Sequence, residues 1–61
     1  MCQMSVIMKT NDTQEKIMDA VARLEVTADG VSINALFEAP RLIPGVTVRE
    51  IDFLEGVVVL A

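Results

Sequence analysis

The residues able to do chemistry in this 61-residue chain crowd its first eight positions, MCQMSVIM, which hold the only cysteine, Cys2, and three of the four methionines. No histidine occurs anywhere. A thiol at position 2 lies beside a terminal amine and a backbone amide nitrogen that a metal can deprotonate. With Met1 in place, the Met1 amine, the Cys2 amide nitrogen and the Cys2 thiolate can wrap an ion in fused chelate rings. With Met1 removed, the Cys2 amine and thiolate still form a single chelate. Planar nitrogen and thiolate donors suit nickel(II) or copper(II). The sulfur binds as thiolate, so affinity should fall as pH falls.

A plainer role stands beside this one. Cysteine is often a small buried hydrophobe, and in a strand Cys2 shares a face with Met4, Val6 and Met8. On the residues alone, Cys2 is either a core residue or a metal ligand. Met4 and Met8 carry soft thioethers that could serve copper(I), but at strand spacing they read as core filling. Other chemistry is absent. Without histidine there is no imidazole base and no Ser-His or Cys-His pair. Without CxxC a cysteine-rich zinc site within one chain is excluded, and neither phosphate-binding glycine motif is present. Glu50 and Asp52 fall on one face of a strand beside Arg49, which reads as a solvated outer face.

The elements that must position the chain start are mostly strands. Residues 1–9 alternate as a strand, and Thr10 to Thr13 have turn composition. Residues 14–22 are ambiguous: Asp12 or Thr13 could cap a helix carrying Ile17, Val21 and Leu24 at helical spacing. Against this, LEVTADGVSINALF alternates around Asp29-Gly30, the strong signal of a hairpin. The strand is therefore extended back to about Asp19, leaving 13–18 as loop or one helical turn. Glu38 to Gly45 reads as a connection ending in a type II turn at Pro44-Gly45. VTVREIDFL is a strand whose apolar parity switches between Val48 and Ile51, which a bulge near Arg49-Glu50 would reconcile. Glu55-Gly56 is a short turn, and VVVLA is a strand apolar on both faces, hence central or at an interface. The sum is all-β: five short strands in a small SH3-like or Sm-like barrel, closed or nearly closed, since closure removes edges. A helix-plus-sheet fold is the alternative if 14–23 is helical.

Size and charge narrow the function. A chain of 61 residues is one domain, residues 1–61, and buries only about 60% of the surface its unfolded form exposes. Small folds add disulfides, a metal or oligomerisation; one cysteine makes no internal disulfide, and 52% hydrophobic content suggests a homodimer with a shared apolar interface. The net charge of −4 and the presence of only two aromatic residues, Phe37 and Phe53, argue against a nucleic-acid partner. No apolar run is long enough for a membrane span, no secretion signal is evident, and a lone free thiol fits the reducing cytoplasm.

The MC start, the hairpin LEVTADGVSINALF, the PG pair and IDFLEGVVVL together resemble the CooT family, small accessory proteins linked to nickel insertion into carbon monoxide dehydrogenase. The resemblance runs from Cys2 to Leu60, and its distinctive positions are Cys2, Leu36-Phe37, Gly45 and Ile51-Asp52-Phe53. It implies a homodimer of small β-barrels that binds nickel(II) through Cys2, with no other side chain carried over as ligand. The expected protein is a cytoplasmic, non-enzymatic nickel-handling accessory holding one ion per dimer, with carbon monoxide dehydrogenase or its maturation proteins as partners. Two rivals remain. An RNA-binding Sm-like module would show a stripe built from Lys9, Lys16, Arg23, Arg41 and Arg49. A metal-free adaptor that docks by strand addition would show a long open edge.

Overall fold

The computed structural model describes residues 4–61; Met1 and Cys2 lie outside the described residues. Six strands follow one another: β1 (Met4–Thr10), β2 (Thr13–Thr27), β3 (Gly30–Ala35), β4 (Arg41–Pro44), β5 (Val48–Asp52) and β6 (Val57–Leu60). They form one sheet in the order β4-β3-β2-β1-β6-β5. All neighbours are antiparallel except β1 and β6, which run parallel.

Two expectations are corrected here. The strands number six, not five, because Arg41–Pro44 pairs with β3 across Gly30–Ile33 where a plain connection was expected. The barrel is also not closed. β4 and β5 are the two edges, and no ladder joins them among the described residues. Residues 45–47 carry the chain from one edge to the other, and Thr47 pairs back onto the far side: Thr47 and Ala61 exchange two backbone hydrogen bonds of 3.0 Å. The open edges are short, four and five residues, and β4 ends on a proline, which limits what an edge can template.

One face of the sheet builds the core. Val6, Val21, Val31, Ile33, Ile43, Val58 and Leu60 are buried together, with Met4, Met8, Ile17, Met18, Leu24, Val46 and Val48 packed against them. Met4, Val6 and Met8 thus share the inward face that alternation assigned to them. β6 sits inside the sheet between β1 and β5 and is buried from Val58 to Leu60, as its apolar run requires. Each fully buried Ile33 or Leu60 contributes about 1.5–3 kcal/mol by leaving water.

Residues 13–18 are strand, not loop or helix, and the reason lies in bulges. Along β1 the step from Val6 to Ile7 is matched on β2 by two residues, Met18 to Lys16. The step from Met4 to Val6 is matched by three, Val21 to Met18, with Ala20 at φ 54°. On the other side, Asn34 to Ala35 is matched by Arg23 to Val21. Each extra residue resets the alternation. Inward positions at Met18, Val21 and Leu24 then fall three apart, the spacing that mimics a helix.

The hairpin between β2 and β3 is present, but its turn is Ala28-Asp29, since Thr27 pairs with Gly30. Thr27 Oγ1 accepts a hydrogen bond from the Asp29 amide at 3.3 Å and donates to the Gly30 carbonyl at 3.1 Å. Gly30 serves a different purpose. It lies opposite Pro44, with φ 152°, and a Cβ there would collide with the Ile43 carbonyl oxygen. Gly45 has φ 72°, as the expected turn requires. The bulge expected near Arg49-Glu50 is present: Val48 pairs with Leu60 and Glu50 with Val59. It returns Ile51, opposite Val58, to the same side as Val48.

Candidate functional site

The register of the sheet fixes what surrounds the entry to β1. Met4 lies opposite Val21 on one side, and Ser5 opposite Val57 on the other, where the Ser5 amide donates to the Gly56 carbonyl at 2.8 Å. Val21 in turn lies opposite Ala35, and Val57 opposite Asp52. The entry to β1 and the turn after Asp52 are therefore at one end of the sheet, whereas β3, which runs the same way as β1, ends at Ala35 where β1 begins, so the turn after Ala35 leaves in the opposite direction. The sequence-derived ligands, Cys2 and the Met1 amine, lie outside the described residues.

The turns after Ala35 and after Asp52 both carry exposed apolar side chains. In the first, the Glu38 amide donates to the Ala35 carbonyl at 3.1 Å. Phe37 holds φ 64° in the third position, which in a type II turn suits glycine or asparagine. Its side chain is 97% exposed, beside an exposed Leu36. In the second, the Gly56 amide donates to the Asp52 carbonyl at 2.8 Å and the Glu55 amide to Asp52 Oδ1 at 2.9 Å. Those bonds hold out Phe53 and Leu54, the latter 94% exposed. The charged groups of these turns and of the adjoining β4 start are Glu38, Asp52, Glu55 and Arg41.

Beside the entry to β1, Asp19 sits in the β2 bulge. Its Oδ1 accepts a 2.8 Å hydrogen bond from Ser5 Oγ, and Lys16 Nζ stands 3.2 Å away. The Ser5 hydroxyl first, and Lys16 second, hold the Asp19 carboxyl below its usual range. Sequence reading did not single out Asp19, because only the bulge brings it to Ser5. Among the described residues no three Cys, Asp or Glu side chains gather where they could hold a metal ion. Met4 and Met8 pack against the core, so their thioethers are engaged there. The basic residues are scattered: Lys16 pairs with Asp19, Arg23 Nη2 lies 3.6 Å from Glu25, and Arg41 and Arg49 are on opposite edge strands.

The chain is thus a short all-β domain with one open six-stranded sheet and exposed apolar side chains in the turns at Leu36-Phe37 and Phe53-Leu54. The family of CO dehydrogenase accessory proteins, CooT, matches residues 1–61, and the chain belongs to that family. The crystal structure of a protein assigned as CooT from Carboxydothermus hydrogenoformans is similar, with a TM-score of 0.84 at 19% identity, over 97% of this chain and 94% of that one. At that identity the likeness speaks for the fold. No curated protein matches.

Proposed function

We propose that this protein handles nickel(II) as cargo for carbon monoxide dehydrogenase or its maturation proteins, in the cytoplasm and without catalysis of its own. In this reading the ion is bound by the Cys2 thiolate. The Cys2 amide nitrogen, and the Met1 amine where it is retained, serve as harder donors. The protein works as a homodimer in which two Cys2 thiolates share one ion. The observation that carries the reading is membership of the CooT family along the whole chain, Cys2 included. The donor chemistry fits: with Met4 and Met8 packed against the core, Cys2 and Met1 carry the soft donors left at the chain start.

The competing readings gain no support. An RNA-binding module needs a continuous basic stripe, and two of its five expected members are paired with carboxylates. An adaptor docking by strand addition needs a long open edge, and the edge strands are short.

The test is a nickel titration of untagged protein under reducing conditions, with absorbance and oligomer mass followed together. The expected endpoint is one ion per two chains, with thiolate-to-metal bands that vanish in Cys2→Ser while the far-UV spectrum and melting temperature stay put. Unchanged nickel affinity in Cys2→Ser refutes the proposal.

A further inference from the structure

We infer that Asp19 is a positioning residue for the metal-binding start of the chain: from the β2 bulge its carboxylate anchors Ser5, and so fixes the place from which Cys2 must reach its ion. The inference rests on the nickel reading above for its purpose, and it concerns a residue that reading does not use.

The first argument is register. Between Met4, opposite Val21, and Val6, opposite Met18, one residue of β1 is set against two of β2. The ladder toward β2 is therefore interrupted at Ser5, the second residue of β1. Two hydrogen bonds hold Ser5 instead. Its amide donates to the Gly56 carbonyl at 2.8 Å, and its hydroxyl donates to Asp19 Oδ1 at 2.8 Å. Asp19 thus stands in for the missing ladder on the β2 side. Lys16 Nζ, 3.2 Å from Asp19 Oδ1 and 3.3 Å from Oδ2, steadies the carboxylate from along the same strand.

The second argument is cost. The bulge that presents Asp19 puts Ala20 at φ 54°, a conformation disfavoured for any residue but glycine and, less so, asparagine or aspartate. The return in stability is small. The Asp19 and Lys16 side chains are 61% and 60% exposed, and exposed pairs contribute little. A backbone kept under strain for a bond that adds little to stability points to a constraint that serves a site.

The third argument is reach. Cys2 lies three residues ahead of Ser5, and three residues span at most about 11 Å. Whatever fixes Ser5 therefore fixes the centre of the small volume that the Cys2 thiolate can search. A thiolate confined in advance loses less freedom when it closes on an ion. Groups that orient metal ligands typically carry about 10–100-fold in affinity, and an anchor three residues away belongs at the low end.

The test follows two readouts in the full-length protein. One is the backbone order of residues 2–5 without metal, from amide nitrogen relaxation. The other is nickel affinity, with its thiolate-to-metal bands. Asp19→Ala should lower the order of residues 3–5, weaken nickel binding about tenfold and leave the melting temperature within about 5 °C. Ser5→Ala should reproduce these effects, and the double variant should be no worse than either single one. Asp19→Asn keeps an accepting oxygen and should restore most of the affinity. Unchanged order and affinity in Asp19→Ala, additive losses in the double variant, no rescue by Asp19→Asn, or a loss of affinity that only tracks a fallen melting temperature each overturns the inference. The two readings fail differently. A wild type that binds no nickel refutes the metal reading and with it this purpose for Asp19, whereas nickel bound through Cys2 and indifferent to Asp19→Ala refutes the anchor alone.

Discussion

Replacing Gly30 by alanine tests how β4 is held to the sheet. A Cβ on Gly30 meets the Ile43 carbonyl oxygen head-on and lies 2.9 Å from Pro44 Cα and 3.1 Å from Gly45 N, all backbone atoms that no rotamer change can move. Two costs add. The backbone at φ 152° is disfavoured for an L side chain by about 1–3 kcal/mol. Relieving the collision parts β4 from β3, which forfeits backbone hydrogen bonds at about 0.5–1.5 kcal/mol each. The total is about 3–5 kcal/mol. A domain of this length holds about 3–9 kcal/mol in all, so Gly30→Ala removes much of its stability and lowers the melting temperature by more than about 12 °C. Gly45→Ala is the control. It too has positive φ, 72°, but nothing lies within 4 Å of its Cβ position, so only the conformational cost of about 1–2 kcal/mol remains. Urea melts followed by circular dichroism measure both. If the two variants differ by less than about 1 kcal/mol, the close approach of β4 at Gly30 is not what holds that edge.

Other consequences are open to measurement. Leu60→Ala deletes a fully buried side chain and should cost about 2–5 kcal/mol in the same urea melts. Phe37→Gly should raise stability by about 1 kcal/mol by relaxing the turn, and a loss instead would show that Phe37 packs on its own chain. The Asp19 carboxyl is held below its ordinary value of 3.8, so its contribution is full above that pH and fades as pH falls through the lowered value. Ser5→Ala should move its titration up toward 3.8, read by carboxyl carbon NMR; an unmoved midpoint would discard the Ser5 hydrogen bond as the leading cause.

Much of the fold is legible in the residues. Alternation alone placed Met4, Val6 and Met8 inward, and the parity switch between Val48 and Ile51 located the bulge at Arg49. The same logic failed on β2 because several bulges lie on one strand, and spaced bulges convert a period of two into a period of three. β4 escaped because three residues between prolines cannot show alternation: only Ile43 points inward, and the pairing is revealed by Gly30 across the gap. The open sheet was hidden for a related reason, since closure depends on where the edges lie after every bulge has bent its strand. At the candidate site, Cys2 and its family are readable from the chain start, but the placing of Asp19 beside Ser5, and of the Phe53-Leu54 turn at the entry to β1, follows from register. No local pattern carries that.

The parallel pairing of β1 with β6 has a consequence for how the molecule is made. β1 is made before the other five strands and β6 after them, yet they are neighbours in the middle of the sheet. β5 reaches the rest of the sheet only through β6, and Val58 and Leu60 complete the core. A nascent chain that has emerged as far as Asp52 therefore can pair only the four strands β4-β3-β2-β1, with Ser5–Met8 as a bare edge and its apolar face uncovered. Folding waits for β6 to emerge, and contacts that far apart along the chain form slowly, in about milliseconds to seconds. The vulnerable form of this protein is thus the unfinished one, and the cell's window for guarding it runs from the emergence of the first hairpin to the emergence of Leu60.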